Sequence, residues 1–252
     1  MVFFNQLINT MYNLAMSSYQ RTKNIIKSIL SRVKVIRYRT HKIKQPLDIV
    51  RVHFSTWSTM DHPNKKAFET VVQELNGKPA KIIETGTSAW GTDSTRLWDK
   101  YVSTYGGSFY SVDIRSEPAI RLKGHLGKKS KLIVNDSVVF LEDTLNSLEG
   151  SANVYFLDSW DVDWAAPLSS ASHGLREYFA IKPNLVAGIL LFIDDTPVDL
   201  LGIPKEFHEV AKKFRDTHGV LPGKGAFILK EIERNMSFKV LHHSYSVVIQ
   251  FT

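Results

Sequence analysis

The stretch Lys81-Ile82-Ile83-Glu84-Thr85-Gly86-Thr87-Ser88-Ala89-Trp90-Gly91-Thr92 decides the fold. A short apolar strand ends in a carboxylate, a turn bearing two glycines follows, and a helix opens at Thr92. In open α/β sheets this strand–turn–helix order brings backbone close to a bound nucleoside. Gly86 lets the chain turn against the ligand without a Cβ, and Gly91 permits close approach of the helix. Thr87 and Ser88 complete the turn on the ligand side. About 20–30 residues beyond such a loop, nucleotide-binding folds place an acid that accepts both ribose hydroxyls. Asp113, closing the next apolar run, stands there. The alternative for Glu84 and Asp113 is the capping of neighbouring helices. The ordered set Glu84, Gly86, Gly91 and Asp113 favours the ligand role.

Working outward, strands are expected over 80–84, 109–114, 131–134, 154–157 and 187–193. Helices are expected over 63–75, 92–105, 138–148, 172–181, 204–217 and 226–234, with Asp136 or Ser137 capping the third. Two further strands, 237–242 and 245–251, close the chain as a hairpin. Apolar strands alternating with helices indicate an α/β fold. The expectation is a Rossmann-like, seven-stranded, mostly parallel sheet with helices on both faces and a C-terminal antiparallel hairpin. A basic, amphipathic helical arm over 1–47 precedes this domain of 48–252.

The choice of nucleotide follows from what the loop lacks. A pyrophosphate cradle needs G-x-G-x-x-G, and here the middle glycine and any Walker lysine are absent. S-adenosylmethionine carries no phosphate, and its ammonium suits an acid such as Glu84. An NAD-type Rossmann oxidoreductase is the alternative enzyme, disfavoured further by the lack of a Tyr-Lys or His pair to handle hydride.

The other half of the sheet edge holds the acids. The fourth strand runs into Asp158-Ser159-Trp160-Asp161 and the fifth into Asp194-Asp195-Thr196. Carboxyl ends of adjacent strands meet at the ligand crevice, so Asp158, Asp194 and Asp195 should converge. Like charges at close range raise one pKa steeply or demand a cation, and a hard divalent ion such as Mg²⁺ takes oxygen ligands. Helix caps or turn openings are the plainer roles for the same acids.

The segment from Ile82 to Asp113 resembles motif I and the acidic motif II of class I S-adenosylmethionine-dependent methyltransferases. Asn135-Asp136-Ser137 is similar to the polar residues that contact adenine in that family. Asp158 with Asp194-Asp195 resembles the metal ligands of metal-dependent O-methyltransferases: the catechol type, macrolide-sugar enzymes, and the cephalosporin-biosynthesis and rhamnosyl group. Trp160 falls where the catechol type stacks an aromatic on adenine. That type has a lysine base where Asp161 stands here, and the sugar enzymes use a histidine, for which His173 is the nearest. The resemblance spans residues 63–251. It implies a Mg²⁺-assisted O-methyltransferase acting on a small-molecule or sugar hydroxyl, with Asp161 or His173 as the base.

Other residues read more plainly. Trp57, His53 and Asp61 precede the domain and suit ordinary packing better than the lining of a substrate mouth, and solvent-facing loop acids are the plainer reading of Asp161 and Asp163. Gly223-Lys224-Gly225 lacks the P-loop context and reads as the opening of a helix, while His242 and His243 point to opposite faces of a strand.

The net charge of +7 belongs to the arm. Residues 1–47 carry nine Lys and Arg and no acid, leaving 23 basic against 25 acidic residues beyond them. A near-neutral domain argues against nucleic acid. Phe3, Phe4, Leu7, Ile8, Met11, Leu14 and Ala15, then Ile25, Ile26, Ile29 and Leu30, recur at helical spacing. Such a helix suits peripheral contact with an anionic membrane, or packing and dimerisation through residues 1–45. Its basic residues follow the apolar stretch, unlike a signal peptide. With no apolar run of spanning length, a cytoplasmic chain is expected. The absence of cysteine excludes disulfides, a thiolate nucleophile and a Cys-ligated zinc. A degenerate methyltransferase fold serving as an interaction module, attached through the arm, is the non-enzymatic alternative.

Overall fold

A computed structural model of the chain describes residues 20, 22–26, 33–88, 91–147 and 152–252, with backbone alone at 144–147. The chain divides into two compact units, residues 1–42 and 43–252. In the first, residues 22–26 and 33–40 are helical. Most of the apolar stripe read in the arm, Phe3 to Ala15 with Ile29 and Leu30, lies outside the described residues. Among the described residues no helix is long and apolar enough to cross a membrane.

The second unit is built on seven strands: β1 (Ala80–Thr85), β2 (Gly107–Asp113), β3 (Ser130–Val134), β4 (Val154–Leu157), β5 (Leu190–Ile193), β6 (Phe238–His243) and β7 (Val247–Phe251). They lie in the order β3-β2-β1-β4-β5-β7-β6. The first five pair in parallel, and β7 runs antiparallel to both its neighbours. This is the expected mostly parallel sheet with its closing hairpin.

Strand alternation divides the core between two faces. Ile82, Phe109, Phe156 and Phe192 point to one side, where helices α1 (Leu47–Trp57), α2 (Lys65–Leu75) and α3 (Ser94–Tyr105) cover them. Phe68 of α2 inserts there, 4.9 Å ring to ring from Phe192 and 5.4 Å from Phe156. Ile83, Tyr155, Leu157, Leu191 and Ile193 point to the other side. Helices α5 (Ser137–Ser147), α6 (Leu168–Ile181) and α8 (Ala226–Asn235) supply Leu141, Tyr178, Ile181, Ile228 and Ile232 against them. A fully buried side chain of this kind contributes roughly 1.5–3 kcal/mol, so the two-sided packing fixes the register of β4 and β5.

The remaining helices are α4 (Ser116–Leu122) and α7 (His208–His218). The sequence pattern assigns neither α1 nor α4. Helix α1 buries Ile49, Val50, His53 and Phe54, a helical spacing visible once its start at Pro46 is known. Helix α4 has only two buried residues, Pro118 and Leu122, too few for a periodic signal. Strand β5 begins at Leu190, later than expected, because the chain at Gly188 takes φ +89°.

Candidate active site

The register brings the chemical residues level with one another. Thr85 pairs with Leu157, and Leu157 with Ile193. The next residues along, Gly86, Asp158 and Asp194, therefore emerge together at the carboxyl edge of the sheet. The amide of Asp158 donates to the Thr85 carbonyl at 3.0 Å, and that of Asp194 to the Leu157 carbonyl at 3.1 Å. Strand order changes direction between β1 and β4, the position at which open α/β sheets bind ligands. A cavity of about 960 Å³ opens there, lined by Gly86, Ser88, Asp113, Arg115, Asp136, Ser137, Asp158, Trp160, Asp161 and His173 among others.

In the nucleoside half, Gly86 (φ +85°) packs so tightly that a Cβ would stand 2.3 Å from the Asp158 carbonyl oxygen. Asp113 faces the cavity and accepts from the Thr87 amide at 3.0 Å and from the Arg115 guanidinium at 2.9 and 3.0 Å. Burial pushes its carboxyl up, but the hydrogen bonds and charge of Arg115, with the Thr87 amide, outweigh this and hold it below the usual carboxylate range. Ser88 lines the cavity, with its hydroxyl bonded to Asp93 and Arg121.

Glu84, Thr87 and Gly91 are placed differently from the expectation, since none of them lines the cavity. Glu84 is fully buried and accepts hydroxyl bonds from Ser94, Thr95 and Ser111 at 2.5–2.6 Å. It ties β1 and β2 to the start of α3, so its carboxylate is not offered to a ligand ammonium. Burial pushes its pKa up to about 7, against the three hydroxyls. Thr87 bonds Ser111 at 2.8 Å and supports the loop through its backbone, and Gly91 lies against His62.

In the same cavity Asp136 caps α5, its Oδ1 accepting from the amides of Val138 and Val139. Ser137 lies 3.1 Å from His173 Nε2, which also meets Ser159 at 3.0 Å. Ser159 in turn donates to Glu177 at 2.6 Å. The Trp160 ring lies 5.1 Å from the His173 ring, and Trp160 is 58% exposed. His173 is thus built into a network with Ser137, Ser159, Trp160 and Glu177, apart from the triad carboxylates. Asp161 is exposed at the rim.

The three acids do converge: one oxygen from each lies within 4.8 Å of the others. Asp194 accepts from Asn64 at 2.6 Å and Asp195 from the Tyr245 hydroxyl at 2.6 Å. Asp158 Oδ2 is buried without a hydrogen-bond partner, as is Asn64 Oδ1. Between them stands Lys224. Its ammonium donates to Asp158 Oδ1 at 2.6 Å, to Asp195 Oδ2 at 2.9 Å and to the Asp158 carbonyl at 3.3 Å.

The titration of the cluster follows from burial and these charges. Burial pulls Lys224 down, yet Asp158, Asp195 and Asp194 together hold it well above its ordinary value. Burial and the neighbouring acids raise Asp158 against the pull of Lys224. Asp194 is pushed up to about 6 by burial and by Asp195. Asp195 stays low because Lys224 and Tyr245 outweigh its burial.

The sequence expectation of a divalent ion meets this lysine. The oxygens are hard donors suited to Mg²⁺, but the two carboxylates nearest Lys224 already serve its ammonium. A divalent ion on the same oxygens would have to displace that charge, so the arrangement fits an ammonium and does not fit Mg²⁺.

No family model and no curated protein sequence matches the chain. Among solved structures, the MycE methyltransferase of the mycinamycin biosynthetic pathway, in complex with Mg, SAH and mycinamycin VI, superposes with a TM-score of 0.55 at 13% identity. That match covers 82% of this chain, which spans only 54% of the MycE chain. The SAH-bound Podospora anserina methyltransferase PaMTH1 gives 0.50 at 16% identity, covering 89% of this chain and 96% of the other. The fold is that of the class I methyltransferases. Its antiparallel β7, inserted between β5 and β6, departs from the 3-2-1-4-5-6 parallel order of dinucleotide-binding sheets.

Within this methyltransferase fold, sequence reasoning missed Lys224, Asn64 and Tyr245. The glycines flanking Lys224 were the available signal, since they let backbone approach closely. What they approach is known only from the tertiary structure. His53 is a packing residue, buried with Nε2 2.6 Å from the Thr92 carbonyl oxygen. His242 and His243 bond Ser244 and the Thr196 carbonyl respectively and do not converge.

Proposed function

We propose that this chain is an S-adenosylmethionine-dependent methyltransferase acting on a hydroxyl oxygen of a small molecule or sugar. One observation carries the reading: a single cavity joins a nucleoside-type end, with Asp113, Gly86 and Ser137, to Asp158, the member of the acidic cluster that lines it.

The residues fit the cosubstrate at that first end. Asp113 is an ionised acid on the strand after the loop, suited to accept ribose hydroxyls. Gly86 lets the turn after β1 pack on the Asp158 carbonyl at this end of the cavity, and Ser137 with Trp160 offers a polar and an aromatic contact for the base. S-adenosylmethionine supplies an electrophilic methyl group when bound. The Asp158 carboxylate then takes the proton of the acceptor hydroxyl as that oxygen forms its bond to the methyl group, the sulfur–methyl bond breaks and S-adenosylhomocysteine leaves. Burial raises the Asp158 carboxyl above its ordinary value, which makes its carboxylate a stronger base than a solvated one. Asp161 and His173, the bases expected from sequence, are the weaker candidates. The first is exposed, and the second serves the Ser137–Trp160 end.

Calorimetry with S-adenosylmethionine and S-adenosylhomocysteine tests the reading, followed by transfer of labelled methyl to a panel of hydroxylated acceptors. Saturable binding that Asp113→Ala weakens is expected. Failure to bind either nucleoside overturns the proposal. Binding without transfer to any acceptor favours an interaction module on the same fold.

A further inference from the structure

The chain encloses its own cation. Lys224 is 2% exposed, and its ammonium is directed at three oxygens of the acidic cluster. An ammonium has three N–H donors, so its hydrogen-bonding capacity is spent there.

The surrounding backbone is shaped to put it in that place. Gly223 takes φ +150°, and a Cβ on it would lie 2.3 Å from the Asp195 carbonyl oxygen. A Cβ on Gly225 would lie 2.7 Å from the Thr196 side chain. From the opposite side, Gly174 of α6 leaves room for the Lys224 carbonyl, which a Cβ would meet at 2.3 Å. Two hydrogen bonds pin the segment: the Lys224 amide to the Asp195 carbonyl and the Gly225 amide to Thr196 Oγ1, both at 3.0 Å. Three glycines and two hydrogen bonds fix the backbone of residues 223–225, which marks a built position for the side chain it carries. Two buried carboxylates and a partly buried third need compensation, and a fixed ammonium supplies part of it without an ion from solution.

We propose that Lys224 is the resident cation of the Asp158–Asp194–Asp195 cluster and stands in place of a divalent metal, so that the site works metal-free. Lys224 holds Asp158 Oδ1 and so fixes the carboxylate at the end of β4, which makes it a positioning residue for the acceptor. That catalytic consequence rests on the methyltransferase reading; the exclusion of metal does not.

The test is Mn²⁺ binding to the purified full chain, followed by electron paramagnetic resonance and calorimetry. Wild type should bind Mn²⁺ at least about 100-fold more weakly than Lys224→Met, because the variant removes a positive charge a few ångströms from the ion. Adding Asp194→Asn to Lys224→Met should abolish the gained site. A wild-type chain that binds one Mn²⁺, lost in Asp158→Asn, overturns the proposal, as does a folded Lys224→Met that gains no site. Lys224→Gln replaces the methionine variant if the latter does not fold. If neither folds, the wild-type titration decides alone. Where methyl transfer is measurable, it should be unchanged by EDTA. Failure to bind S-adenosylmethionine would remove the methyltransferase reading and leave the Mn²⁺ result standing.

Discussion

Gly86 and the carbonyl of Asp158 are in contact that only a hydrogen in place of Cβ allows: an added Cβ would approach the oxygen to 2.3 Å. The turn after β1 and the end of β4 therefore share one space, and the nucleoside half of the cavity is positioned by the half that carries the acids. Gly86→Ala should strain a left-handed backbone and push the β4 end aside. The expected loss is at least about 2 kcal/mol, a drop of several degrees in melting temperature. Scanning calorimetry checks it, and an unchanged melting temperature would refute the packing argument.

Asp113 is expected to be the main polar anchor for ribose. Asp113→Ala should weaken S-adenosylhomocysteine binding by about 10- to 100-fold, the scale of one or two hydrogen bonds to a charged group. Arg115 grips the same carboxylate through a side chain 60% exposed, so it competes with a ribose hydroxyl. Arg115→Ala should leave binding intact or strengthen it. Parallel calorimetric titrations of the two variants separate these roles.

Glu84 gives the fold a pH dependence of definite sign. Its pKa in the folded chain is about 7 against an ordinary 4.5, so the folded state holds the proton more tightly than the unfolded state. Stability contributed by this group is full below about pH 4.5 and is lost as pH rises through about 7. Glu84→Gln removes that titration. The stability difference should shift toward the variant by up to about 3 kcal/mol between pH 4.5 and 8, read from urea unfolding at several pH values. A difference independent of pH would show that Glu84 titrates normally.

Asp158 and His173 line the same cavity and should separate by function. Asp158→Asn should lower kcat by about 10²–10⁴, the usual contribution of a general base, with cofactor affinity changed only slightly. His173→Gln should instead weaken the nucleoside, because its contacts are Ser137, Ser159 and Trp160. Its kcat pH profile should match wild type. A thousandfold loss of kcat in His173→Gln with unchanged affinity would return the base to His173.

Much of the architecture was legible because it is local. Strands β1 to β5 are short apolar runs between helix signals, and Asp158, Asp194 and Asp195 follow β4 and β5 directly, so a parallel register had to bring them to one edge. Gly86 and Asp113 were legible for the same reason. Glu84 was not, because a strand-end carboxylate looks the same whether it faces a ligand or three hydroxyls, and the hydroxyls of Ser94, Thr95 and Ser111 reach it only across the fold. Helix α1 was missed because its buried residues, Ile49 to Phe54, occupy less than two turns beside a proline.

The sequence by itself determined the alternation of strands and helices, the loop against β1 and the meeting of three acids, since side-chain period and strand adjacency follow from covalent order. The tertiary structure alone decided what neutralises those acids. Lys224 lies 66 residues from Asp158, and no periodicity records which buried carboxylate an ammonium will meet. Burial selects the partner, because charges removed from water require compensation at the distance the packed backbone sets.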